Sequence, residues 1–153
     1  MLIAFLNLLQ VIGFSKVDYF NAIASDDIGI ISSIIVKIDR STDDSDKMAY
    51  LGALYMKKAG LIKPIKTKLE LFKSGKSLLE NAIAQKKNNP EYRLLRLIIQ
   101  EHAPGILKYN DKIAEDTEII LSSIDVFPSD VKNAFFNYVK NSPALKRKKI
   151  PVQ

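Results

Sequence analysis

The sequence predicts an all-α domain of about six to seven helices joined as antiparallel hairpins. Three observations carry this expectation. Apolar residues recur at intervals of three and four from Lys16 onward. Strict apolar–polar alternation, the mark of a half-buried strand, is nearly absent. Between the periodic stretches lie short clusters of Asp, Ser, Asn, Pro and Gly, which start and stop helices.

The run Leu2 to Phe14 precedes the first helix and is uncharged and mostly apolar. It is too short to span a bilayer core, which needs roughly 20 helical residues. It suits the apolar region of an export signal, and Gly13 and Ser15 are the small residues a signal peptidase would read before a cut after Ser15. The expected organisation is a signal peptide over 1–15, one helical domain over 16–141 and a basic tail over 142–153. Export to the periplasm or medium follows, with no membrane span in the mature chain. Since no Lys or Arg precedes the run, the alternative is a packed first helix of a cytoplasmic protein.

The first domain helix, Val17 to Ala24, puts Val17, Phe20, Ile23 and Ala24 on one face. Asp26 and Asp27 open the second. Its β-branched run admits a strand, but Ile31, Ile34, Ile35 and Ile38 follow the helical i, i+3, i+4, i+7 pattern. The polar break Arg40 to Asp46 ends in an N-cap residue for a third helix, Lys47 to Lys58, with Met48, Leu51, Leu54 and Tyr55 inward and Gly60 as its stop. A long helix from Lys66 to Lys87 buries Leu69, Phe72, Leu79, Ala82 and Ile83, with Leu78 beside them. Asn88-Asn89-Pro90 separates it from a helix over Glu91 to Ala103, apolar on most of its circumference and therefore central. Asp111 to Ser123 and a helix opening at Pro128-Ser129-Asp130 complete the set. In the last one Val131, Ala134, Phe135, Tyr138 and Val139 face inward.

Leu51-Gly52 with Tyr55 resembles the first-helix signature of a tetratricopeptide repeat, in which a glycine lets two helices approach closely. Gly75, Leu79 and Ala82, followed by Asn88-Asn89-Pro90, resemble its second helix. The resemblance covers residues 49 to 90, shows one copy, and departs from the repeat in its longer interval from Tyr55 to Gly75. It implies a tetratricopeptide-like hairpin, in a right-handed array or an irregular bundle. The segment Glu91 to Ile120 also looks like short exported helical proteins of Bacteroidota, which implies export and an all-α fold and brings no activity with it.

Composition removes much of the usual catalytic repertoire. The chain of 153 residues has no Cys and one His, which excludes disulfides, thiolate chemistry and multi-histidine metal sites. Ser74-Gly75-Lys76-Ser77 has the ending of a phosphate-binding loop, but position 70 is Glu where that loop needs Gly. A calcium loop counted from Asp39 would need Gly and Glu where Asp44 and Tyr50 stand. No cofactor or metal is implied. The net charge of +6 comes from lysines spread around helix surfaces, which disfavours nucleic acid as a partner.

One feature breaks the pattern. Arg93, Arg96 and Gln100 form a polar stripe at i, i+3 and i+7 on the greasiest helix. A buried arginine needs an answering charge. Asp111, Glu115, Asp116 and Glu118 on the next helix could supply it, or the stripe could be a site for an anionic ligand. The favoured role is non-enzymatic binding of a protein or peptide in a groove between helices, rimmed by Tyr50, Tyr55, Arg93, Arg96, Gln100 and Asn110. Two alternatives stand beside it. One is an enzyme or small-anion-binding protein using Arg93, Arg96 and His102. The other is an envelope-associated structural protein whose basic surface holds acidic lipid or polysaccharide.

Overall fold

The computed structural model describes residues 14–39, 44–148 and 150. The expected signal segment lies outside these residues except for Phe14 and Ser15, as do positions 40–43 of the polar break and the last residues of the tail.

The described chain is all-helical: α1 (Lys16–Ala24), α2 (Ile28–Asp39), α3 (Ser45–Leu61), α4 (Ile65–Gln85), α5 (Pro90–His102), α6 (Ile113–Leu121), α7 (Ser129–Val139) and a single turn, α8 (Pro143–Lys146). Short 3₁₀ turns at Gly105–Leu107 and Ile124–Val126 sit on either side of α6. The architecture is an irregular helical bundle.

Side-chain caps set several of the starts. Ser15 Oγ accepts from the Asp18 amide at 3.3 Å. Asp27 accepts from Gly29 and Ile30, so the isoleucine-rich run enters a helix where a strand was the competitor. Asp44 caps α3 by accepting from the Lys47 amide at 2.8 Å, two residues ahead of Asp46. Asn89 accepts from the amides of Glu91 and Tyr92, with Pro90 in the first turn where its missing N–H costs nothing.

The longest packing in the bundle is α3 against α4, and two glycines set its closeness. A Cβ on Gly52 would lie 2.6 Å from the Gly75 carbonyl oxygen, and one on Gly75 would lie 2.5 Å from that of Gly52. The small residues singled out in the sequence therefore meet face to face. Gly60 plays no such part and does not stop α3; it lies in the last turn with open space around it. At the same end of the hairpin Leu69 is exposed rather than in the core, and Phe72 is the first α4 residue to be buried, edge-on to Tyr109.

Helix α5 runs through the centre, with every residue from Tyr92 to Gln100 buried. It packs on α3, α4 and α6, while α1 bridges from α2 and α3 across to α7. Residues 142–148 are not a free tail. Ala144 and Leu145 are buried, and Glu101 at the end of α5 accepts from Ser142 Oγ at 3.0 Å and from the Ala144 amide at 2.8 Å. The lysine-rich sequence masks this apolar pair, which closes the C-terminal end of the bundle.

Candidate functional site

The arginine stripe resolves into a closed network. Asp116 of α6 is fully buried and accepts four hydrogen bonds. Arg96 meets it in two parallel bonds, Nε to Oδ2 at 2.8 Å and Nη2 to Oδ1 at 2.7 Å, the strong fork-to-carboxylate geometry. Arg93 adds a bond to Oδ1 at 3.0 Å and Gln100 one to Oδ2 at 2.8 Å. A carboxylate has about four lone-pair positions, so Asp116 is saturated.

The remaining guanidinium nitrogens are answered too. Arg93 reaches Glu115 at 2.8 Å and the Lys87 carbonyl, and Arg96 Nη1 reaches Glu80 at 2.8 Å. Gln100 Oε1 accepts from the Lys112 amide, and Glu80 also accepts from Tyr109 at 2.6 Å. Burial works against the charge on Arg96, but its bonds to Asp116 outweigh this and hold its pKa above the ordinary value. The hydrogen bond from Arg93 holds Glu115 below the usual carboxylate range. No buried side-chain polar atom among the described residues lacks a partner. The network is a structural joint between α4, α5 and α6, in which every side-chain nitrogen of Arg93, Arg96 and Gln100 is already engaged.

Of the carboxylates named from the sequence, Glu115 and Asp116 answer the arginines. Glu118 instead pairs with Lys148, and Asp111 is exposed. Glu80 and Tyr109 are participants the sequence reading missed, because their approach depends on how α4 crosses α5.

The other candidate residues do not share a surface with the stripe. Tyr50 is buried, donates to Glu91 and accepts from Lys16, whose Nζ also binds Glu91 at 2.7 Å. Burial first, and Glu91 next, raise the Tyr50 pKa far out of reach of ordinary titration. Tyr55 is half-buried, its Cβ within 2.9 Å of where a Gly75 side chain would begin. Asn110 is exposed in the loop before α6. His102 stands apart from Arg93 and Arg96. Its Nδ1 lies 2.7 Å from the Ile98 carbonyl, which can only accept, so the neutral ring is protonated there and Nε2 remains an acceptor.

His102 does, however, border a cleft of about 650 Å³. One wall is α1, contributing Val17, Asn21 and Ala24; the other is α7, contributing Asn133, Ala134, Asn137 and Tyr138. Ile98 and Ile99 of α5 form the floor with Phe20 and Ile23. The sequence explains why these faces are open. Val131, Phe135 and Val139 take the core side of α7, which leaves the adjoining stripe with Asn133 and Asn137 to look across at α1. Asn141, in the turn after α7, continues the line of amides. Lys57 and Asp130 complete the charged part of the rim, and Lys57 is already paired with Asp26 at 2.9 Å.

The chain matches no protein-family model, no curated protein and no solved structure. No relative therefore lends this cleft a ligand. Among the described residues, no group of three His, Asp or Glu side chains is placed to hold a metal ion, and no helix is long and apolar enough to cross a membrane.

Proposed function

We propose that this protein is a non-enzymatic binding domain that holds its partner in the cleft between α1 and α7, over the floor made by α5. The cleft itself carries the reading. It is concave, apolar at its base and lined with a few hydrogen-bonding groups, as binding pockets generally are. The groups an acid–base or anion-binding centre would need are engaged elsewhere: every guanidinium nitrogen of Arg93 and Arg96 meets a carboxylate or the Lys87 carbonyl, and His102 faces the cleft without a second titrating group bonded to it.

The α3–α4 hairpin belongs to this proposal as a tetratricopeptide-like scaffold element, supported by the Gly52–Gly75 approach. Export belongs to it as well, supported by the apolar run Leu2 to Phe14. A cut after Ser15 would remove the α1 cap and the Phe14 ring, whose centroid lies 4.9 Å from that of Tyr50, so the mature domain would fold without those two contacts.

The test is a thermal-shift panel on the full-length chain and on Ala24→Trp, which fills the cleft from an exposed position. The probes are an acetylated, amidated Val-Thr-Val-Thr-Val peptide, chitotetraose, citrate and anionic phospholipid vesicles. Occupancy at 100 times Kd would add about 2.7 kcal/mol of stability, a shift of several degrees. The expected result is that the peptide or the saccharide raises the midpoint of the native chain and not of Ala24→Trp. A rise with citrate or vesicles alone, equal in both proteins, would contradict the cleft reading.

A further inference from the structure

From the arrangement of side-chain amides around the cleft we infer that its ligand is an extended peptide segment, held by its backbone, with apolar side chains at alternate positions. This inference rests on the cleft being the binding site and names what enters it.

An extended strand presents three kinds of surface. Its N–H and C=O groups point sideways, to both edges, while its side chains point alternately up and down. The cleft offers a partner for each. Asn133 and Asn137 lie one turn apart on α7, with Asn141 following in the next turn, and Asn21 stands on the opposite wall. Each carboxamide carries a donor and an acceptor, which is what one residue of an extended backbone needs. The rise from Asn133 to Asn137 is about 6 Å, four residues of α-helix. Residues i and i+2 of a strand, which point to the same edge, are about 6.6–6.8 Å apart. The two repeats match closely enough for successive amides on α7 to meet successive backbone groups on one edge of the peptide.

The amides are available. No hydrogen bond within the described residues engages the side chains of Asn21, Asn133 or Asn141, and that of Asn137 meets only the exposed Lys140 at 3.3 Å. Apolar surface for every second side chain of the strand comes from Val17 on the α1 wall, 55% exposed, above a base of Ile23, Ile98 and Ile99. Charge complementarity points the same way. The one ammonium on the rim, Lys57, is answered by Asp26, and the Asp130 carboxylate adds negative charge, so the cleft disfavours an anion.

The capped Val-Thr-Val-Thr-Val peptide tests this by calorimetric titration into the full-length chain, beside two forms N-methylated at alternate peptide nitrogens. Methylating the set that faces α7 should weaken binding at least tenfold, because both the donor and the close approach are lost. Asn133→Ala and Asn137→Ala should each weaken it about three- to tenfold. Both positions are exposed on a helix, where Ala is the better helix former, so folding is preserved. Asn110→Ala, outside the cleft, should change nothing. Equal affinity for the methylated forms would overturn the backbone reading. So would binding of chitotetraose alone, abolished by Ala24→Trp, although the cleft would then stand as the site. If neither probe binds at millimolar concentration, the cleft and its peptide both fall.

Discussion

Asp116→Asn is expected to lower the stability of the folded chain by about 3–5 kcal/mol, the cost typical of removing one partner from a buried ion pair. The substitution keeps the shape of the side chain and replaces one acceptor oxygen with an NH₂ group. That group would face donors of Arg96 and of either Arg93 or Gln100 at the distances of the present bonds, 2.7–3.0 Å. The two buried guanidinium groups would then keep only the partly exposed Glu115 and Glu80 as carboxylate partners. Urea denaturation gives the loss directly as a shift of the midpoint. Against a total stability of about 5–15 kcal/mol, a loss of this size brings the variant close to unfolding, and a second protein keeps the result interpretable. Replacing Arg93, Arg96, Gln100 and Asp116 together with apolar residues of similar volume removes the buried charges and the amide that Asp116 answers, and it should restore most of the stability. Glu115→Gln, whose carboxylate is 47% exposed, should cost less than about 1 kcal/mol. A loss of similar size in Asp116→Asn would show that the stripe is solvated and open to a ligand after all.

The second large effect is expected where α3 meets α4. In an exposed helix, Gly→Ala is stabilising by about 1 kcal/mol. At Gly52 and Gly75 the sign reverses, because the added carbon would sit 2.6 Å and 2.5 Å from a backbone carbonyl oxygen of the other helix. A backbone cannot swing aside as a long side chain can, so the two helices must separate. Overpacking of this kind costs about 1–3 kcal/mol and sometimes more, and each substitution should lose about 2 kcal/mol net or worse. Gly60→Ala is the control on the same helix, with nothing within 4 Å of the new carbon. It should raise the thermal midpoint by about 2–4 °C, while Gly52→Ala and Gly75→Ala lower it by more than that. Similar midpoints for all three would show that the helices do not approach at these glycines.

These two features differ in how far the sequence reveals them. The glycine contact is legible because Leu51-Gly52 and Tyr55, with Gly75, Leu79 and Ala82, put small and large residues at helical spacing on two neighbouring helices. The centrality of α5 is legible for the same kind of reason, since Leu94, Leu95, Leu97, Ile98 and Ile99 leave it no wet side. The arginine network is legible in part. Asp116 and Glu115 follow in the next helix, so short-range pairing finds them, whereas Glu80 enters from α4 by a crossing angle that no local pattern encodes. Basic residues around Ala144 and Leu145 hide a buried turn behind a tail-like composition.

The cleft is the least legible feature. The spacing of Asn133, Asn137 and Asn141 is plain in the sequence, but its meaning depends on which side of α7 faces α1, a helix more than 100 residues earlier. Helical periodicity identifies the buried face of α7 as Val131, Phe135 and Val139. It does not say that the adjoining face borders a cavity. The polar residues conspicuous in the sequence, Arg93, Arg96 and Gln100, serve the joint between α5 and α6, while ordinary exposed asparagines border the cavity.

The central claim is that the α1–α7 cleft, and not the arginine stripe or the lysine surface, is where this protein meets its ligand. Backbone and side-chain amide spectra of the ¹⁵N-labelled full-length chain, titrated with the capped Val-Thr-Val-Thr-Val peptide, test it most directly. The account predicts shifts concentrated at Asn21, Ala24, His102, Asn133 and Asn137, with the side-chain NH₂ signals of the asparagines moving and the Arg93, Arg96 and Gln100 side-chain signals unchanged. Shifts centred on the arginines, or spread over the lysine-bearing faces of α3 and α4, would contradict it.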